Sequence, residues 1–129
     1  MKERRAAIIY IEDEKGRVLC GKRNDTGLYV TPGGHIENGE EPAEGAKREL
    51  LEETGLTAKE CTLKAVKYIK EKNILLYLFH CVPENLKMDT SKDPDLECKK
   101  WEFKYLVDIV HELQVPIEHN IVVSYYLAK

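Results

Sequence analysis

The apolar positions of this chain change their period several times, and those changes divide it into elements. Residues 6–11 are a run of Ala, Ile and Tyr, and residues 18–22 begin Val-Leu. Both have the aliphatic, β-branched character of strands. Asp13, Glu14, Lys15 and Gly16 between them are turn residues, so the pair predicts a hairpin. Residues 24–27 predict a loop and 28–31 a short extended piece. Pro32-Gly33-Gly34 then predicts a turn, because glycine tolerates backbone angles closed to other residues. After it the period becomes helical. Ala43, Ala46 and Leu50 form one apolar stripe, Pro42 suits the first helical turn, and Gly55 suits the position just past the end.

Beyond Gly55 strand character returns at 63–69 and 74–82, with 71–73 as the turn. The second run is almost wholly apolar, as in a central strand buried on both faces. Residues 83–97 predict a long irregular connection. Trp101, Phe103 and Tyr105 alternate, which predicts a half-buried strand, and 117–128 predict a closing helix. Strands on either side of a central helix, then a last helix, predict an α/β fold with a mixed central β-sheet and helices on both faces. No repeat or linker interrupts the pattern, so residues 1–129 are expected to form a single domain.

Composition narrows the classes. With 129 residues, 43% of them apolar and 33% charged, the chain has the make-up of a soluble globular protein with a core of its own. A net charge of −3 argues against nucleic acid as a general partner. A phosphate-bearing ligand would be received through metal ions or a few local Arg and Lys side chains. Cys20, Cys61, Cys81 and Cys98 form no CxxC pair, and no His falls at zinc-site spacing. They predict buried free thiols in a reducing compartment. The charged first five residues lead into an apolar run too short for a signal peptide, and no segment reaches membrane-spanning length. The expected location is the cytoplasm, with no membrane partner.

The candidate chemistry lies on the central helix. Glu49, Glu52 and Glu53 are surface neighbours at helical spacing, where like charges repel by a few tenths of a kcal/mol per pair, roughly. A chain that gathers carboxylates just after a Gly-rich turn is set to receive a hard cation such as Mg²⁺. The whole segment 34–56 resembles the Nudix box, G-x5-E-x7-R-E-U-x-E-E-x-G-U with U aliphatic. Gly34, Glu40, Arg48, Glu49, Leu50, Glu52, Glu53, Gly55 and Leu56 fill every specified position. Tyr29 ahead of Pro32-Gly33-Gly34, and Trp101 on a later strand, extend the likeness outward.

The resemblance implies a Nudix-type α/β/α sandwich in the small, single-domain MutT-like form. It also implies a Mg²⁺-dependent hydrolase, with Mn²⁺ as substitute, cleaving the pyrophosphate bond of a nucleoside diphosphate linked to a group X. A (d)NTP or damaged nucleotide, giving the monophosphate and pyrophosphate, is the leading small-molecule substrate. Dinucleotide polyphosphates, ADP-ribose, NDP-sugars, capped RNA and a non-catalytic nucleotide-sensing role are the alternatives. By the same resemblance, Glu49, Glu52, Glu53 and the carbonyl of Gly33 would hold the metal. Arg48 would orient Glu49 or Glu52 through a forked hydrogen bond, with Glu40 in a similar supporting role. The general base would be a box Glu or Glu97, with Asp95 in reserve. Arg23 would contact phosphate, Lys22 more weakly. Tyr29 would stack on the base, as would Tyr68, Tyr77 or Phe79, and Asn120 would read a purine edge. His35 is expected to be structural. A monomer or homodimer fits equally.

Overall fold

Alternation along the first strand sets the two sides of the molecule. Ala7, Ile9 and Ile11 enter one apolar core, while Tyr10 enters a second with Ile8 packed against it. This is the period-two arrangement of a strand covered on both faces. The fold is that of a computed structural model, which describes residues 3–91, 93 and 98–128. In chain order the strands are β1 Arg4–Tyr10, β2 Val18–Arg23, β3 Tyr29–Val30, β4 Gly33–His35, β5 Ala58–Ile69, β6 Ile74–Pro83 and β7 Cys98–Lys104. The α-helices are α1 Pro42–Thr54, α2 Leu106–Ile109 and α3 Ile121–Tyr126.

The strands form two sheets, ordered β4-β1-β6-β5 and β3-β2-β7. In the first, β1 runs parallel to β6 and antiparallel to β4, so the sheet is mixed. One core holds Ala46 and Leu50 of α1 with Ala7, Ile9, Leu19, Phe79 and Trp101. The other holds Leu106 and Ile109 of α2 and Ile121 to Val123 of α3 against Tyr10, Val18, Cys20 and Leu78. Helices therefore cover both sides, as the α/β expectation required. Among the described residues no helix is long and apolar enough to cross a membrane.

Several local expectations need correction. Residues 6–11 and 18–22 meet only at their base, where Leu19 N donates to Ile11 O at 2.9 Å and Glu12 bridges Val18. Above that point the two strands diverge into different sheets. Gly33 and Gly34 do not form a turn but begin β4, paired with Ile8 and Ala7. The closing segment is a 3₁₀ turn, Ile117–His119, followed by the short α3 rather than one long helix. Its break falls at Asn120, whose side chain accepts from the backbone N–H of Val122 and Val123 and so starts a new helix. Tyr105 leaves the alternating strand and precedes α2.

Cys61 and Cys81 are not free thiols. They face each other across the antiparallel β5–β6 pair and are joined as a disulfide, while Cys20 and Cys98 are buried thiols outside it. The reducing-compartment expectation rested on four free thiols and loses that support.

The end of α1 is fixed by Thr54, which is fully buried. Its hydroxyl donates to Leu50 O at 2.7 Å and accepts from Leu56 N at 3.1 Å, while Gly55 caps the helix at φ +78°. Thr54→Val keeps the shape but leaves the Leu56 N–H buried without that partner. The expected cost is about 1–3 kcal/mol, read as a lower urea midpoint at unchanged slope.

Candidate active site

The β1–β4 pairing brings Gly33 and Gly34 under the middle of α1. Gly33 N donates to Glu53 Oε1 at 2.8 Å, which ties the helix to the strand. Gly34 lies directly against Glu49: a Cβ added there would stand 2.5–2.7 Å from the three carboxyl atoms. Only glycine leaves that carboxylate its place. Glu49 and Glu53 are half-buried at this junction, and the Glu52 side chain is 42% exposed.

Arg48 organises the cluster. Its Nε donates to Glu40 Oε2 at 2.8 Å and its Nη2 to Glu40 Oε1 at 3.1 Å. The fork that the sequence placed on Glu49 or Glu52 thus falls on Glu40. Glu49 and Glu52 instead share Nη1, at 3.0 and 3.3 Å, and His35 O accepts from Nη2 at 3.0 Å. Bidentate Arg–carboxylate geometry of this kind is both strong and directional. Glu40 is held in turn by the backbone N–H of Glu37 at 3.0 Å, and Arg5 Nη2 donates to the carbonyls of Glu37 and Glu40. Arg5 was not picked out from the sequence, since nothing local connects it to residues thirty-five positions away.

Charge follows this geometry. The hydrogen bond from Arg48 holds the Glu40 carboxyl below the usual range, with help from the Glu37 N–H. The Glu40 bond in turn pushes the guanidinium further toward its charged form. Burial pushes Glu49 up, against the pull of its bond to Arg48. A half-buried carboxylate that keeps its charge at a cost is one that a cation would relieve.

Among the described residues, no group of three His, Cys, Asp or Glu side chains is gathered tightly enough to hold a metal ion as placed. The reason is visible: Glu53 is drawn to Gly33 N, while Glu49 and Glu52 are drawn to Arg48. The donor set itself suits a hard divalent cation, being all oxygen, clustered on one helix turn and next to a backbone that no side chain shields.

The other candidates are distributed as follows. Arg23, at the end of β2, directs its guanidinium to Asp25 in two bonds of 2.9 Å. Tyr29 is half-buried and lines an apolar cavity of about 110 Å³ together with Ile8, Leu76, Leu106, Leu113 and Asn120. Asn120 reaches this cavity while capping α3, and its Nδ2 donates to Val115 O at 3.1 Å. A polar residue preceding the apolar run 121–123 is a capping signal the sequence already carried. Phe79 belongs to the core and Tyr77 packs against it, so neither is placed to stack on a ligand. Tyr68 is exposed and donates to Asn73 Oδ1 at 2.7 Å. His35 contributes its carbonyl to Arg48 while its side chain is exposed. Glu97 and Asp95 lie outside the described residues.

The chain is similar to known proteins in sequence and in fold. The chain is 36% identical over 78 residues to a MutT-like protein of Streptomyces ambofaciens, covering 60% of this chain and 49% of that protein. It is 29% identical over 114 residues to an RNA pyrophosphohydrolase of Mannheimia succiniciproducens, covering 72% of this chain and 58% of that protein. The matched part thus spans about half the length of these curated relatives. A crystal structure of a NUDIX hydrolase from Nitrosomonas europaea superposes with a TM-score of 0.82 at 23% identity, over 100% of this chain and 73% of the other, which establishes a shared fold. A family model described as the NUDIX domain matches residues 2–122, a span that takes in both sheets, α1 and the whole carboxylate cluster around Arg48, and the chain belongs to that family.

Proposed function

We propose that the chain is a Mg²⁺-dependent hydrolase of nucleotide pyrophosphate bonds, converting a (d)NTP or damaged nucleotide to the monophosphate and pyrophosphate. The observation that carries this reading is the cluster at the β4–α1 junction, where Glu49, Glu52 and Glu53 stand beside Gly33 and the clamped Arg48. Glu49, Glu52, Glu53 and the Gly33 carbonyl would hold Mg²⁺, with Mn²⁺ as a substitute of like ligand preference. When bound, the ion neutralises charge on the pyrophosphate and acidifies a water. Arg48, fixed by Glu40, holds Glu49 and Glu52 in line through their shared Nη1. The proton of the attacking water would go to a carboxylate, a box Glu such as Glu52 or else Glu97, with Asp95 in reserve.

The apolar cavity beside Tyr29 suits a nucleobase. Asn120 can address that base only as a donor. Both backbone N–H bonds of the helix cap engage its oxygen, and Val115 O takes one hydrogen of its nitrogen. One N–H remains for an acceptor such as purine O6 or N7. The likeness to an RNA pyrophosphohydrolase favours a second reading, in which the triphosphate sits on an RNA 5′ end.

The test is a nucleotide screen with Mg²⁺, following phosphate freed by added inorganic pyrophosphatase. Turnover of one or more purine (d)NTPs is expected. No turnover of any substrate would replace the enzyme with a nucleotide-sensing module. Asn120→Ala is expected to raise KM for a purine substrate about tenfold through the lost base contact. It should also destabilise the fold by about 1 kcal/mol through the lost cap.

A further inference from the structure

Tyr29 borders three cavities. One is the apolar cavity described above; a second is a polar pocket of about 450 Å³ lined also by Lys22, Arg23, Lys100 and Glu102; a third lies beside Lys104, Asp108 and Glu112. Two ammonium groups approach the Tyr29 ring, Lys22 Nζ at 5.9 Å and Lys104 Nζ at 5.6 Å from its centre. Glu102 pairs with Lys100 at 3.4 Å and with Lys104 at 3.0 Å. Lys22 has no ion-pair partner among the described residues, and the Arg23 charge is met by Asp25. Lys100 and Lys104 therefore share one carboxylate and Lys22 adds a third ammonium group, so the pocket lined by Lys22, Arg23, Lys100 and Glu102 carries an excess of positive charge in a chain whose net charge is −3.

The strands make this grouping. Lys22 lies opposite Tyr29 in the β2–β3 pair, and Cys20 lies opposite Glu102 in the β2–β7 pair. Lys100, Glu102 and Lys104 then share one face of β7, while Trp101 and Phe103 turn to the α1 side. Like charges placed close together on a sheet are unfavourable by a few tenths of a kcal/mol, roughly, and an anion between them reverses the sign. Cations flanking an aromatic face are the arrangement that receives a phosphate beside a stacked base. At most about 14 Å of extended chain separates Tyr29 from Gly33, so one ligand reaches both places.

We infer that this pocket is an anion subsite for a second phosphate carried on the sugar of the substrate nucleotide, with the Tyr29 ring as the divider between base and phosphate. The inference rests on the proposed nucleotide reading of the α1 cluster. Two kinds of molecule carry such a phosphate: a mononucleotide phosphorylated twice, and the first nucleotide of a strand, whose sugar bears the phosphodiester. The net charge of the chain argued against nucleic acid in general, whereas the end of a single strand asks only for a local patch.

Binding of guanosine 5′-monophosphate, guanosine 3′,5′-bisphosphate and the 5′-phosphorylated dinucleotide pGpA, each with Mg²⁺, tests the subsite by calorimetry at two salt concentrations. The bisphosphate is expected to bind about tenfold tighter than the monophosphate, with a gain that shrinks as salt screens the added charge contact. A gain shared by pGpA identifies a strand end; a gain confined to the bisphosphate identifies a mononucleotide. The double variant Lys22→Ala/Lys100→Ala, which removes both lysines lining the pocket, is expected to erase the gain. Equal affinity of the three ligands, or a gain that survives the double variant, overturns the subsite. Because the readout is binding, it stands apart from turnover. A protein that hydrolyses nothing yet keeps a Lys22-dependent gain retains the subsite and loses the hydrolase reading.

Discussion

Glu53→Gln and Glu52→Gln are each expected to lower kcat by on the order of 10²–10³-fold, since a metal site supplies several kcal/mol and each 1.36 kcal/mol is tenfold. The two substitutions are chosen because they remove charge while sparing shape. An amide oxygen at position 53 still accepts from Gly33 N, the bond that now spans 2.8 Å, so β4 and α1 stay joined. The melting temperature should therefore remain near that of the parent while activity collapses. Glu52 meets Arg48 at 3.3 Å and is more exposed, so its neutral form disturbs the fold even less. Steady-state rates over a Mg²⁺ titration are the measurement. A loss that excess Mg²⁺ partly restores marks a weakened metal site. A loss that metal never restores in Glu52→Gln marks the proton acceptor. If either variant runs as fast as the parent, that carboxylate has no part in holding the metal.

What the sequence made legible and what it hid follow from the range of the interactions. The boundaries of α1 are local events, set by Pro42 at one end and Gly55 at the other, and they appear where the pattern placed them. The alternation at Trp101 and Phe103 is likewise local, and β7 runs Cys98–Lys104. The division into two sheets was not legible, because it depends on which partner each strand finds after residues 11 and 18 part company. β1 pairs with β6, some seventy positions away. The Cys61–Cys81 bond is hidden for the same reason: their separation of 20 residues means nothing until the β5–β6 register sets them opposite. In the candidate site, the carboxylates and Arg48 were legible as a motif, but their wiring was not. Glu40 takes the Arg48 fork because the loop carrying it is held by Arg5 from another strand. Lys22 was legible beside Arg23, but its grouping with Lys104 around Tyr29 was not, because the two come from β2 and β7, which no sequence window contains together.

Gly33→Ala and Gly34→Ala are expected to abolish function by different routes, and the difference tests how the site is built. A Cβ on Gly33 would run into the carbonyl oxygen of Ala7 and stand 3.2 Å from Ile8 Cα, both backbone atoms of the paired β1. Neither can move without opening the β1–β4 ladder, and the φ of +157° adds strain for any residue with a side chain. The expected cost is about 3 kcal/mol, seen as a large fall in the urea midpoint. The three atoms nearest a Cβ on Gly34 all belong to the Glu49 carboxylate, at 2.5–2.7 Å, the far end of a flexible side chain. That end can swing aside, so Gly34→Ala should cost under about 1 kcal/mol of stability, within the range of a tolerated substitution. Its activity should nonetheless fall about a hundredfold, because Glu49 is then displaced from Arg48 and from its neighbours Glu52 and Glu53. Unfolding curves and rates on the two variants separate these outcomes. If Gly34→Ala unfolds as readily as Gly33→Ala, the junction is a packing feature of the sheet. If it is both stable and fully active, Glu49 does not need the place that Gly34 leaves open.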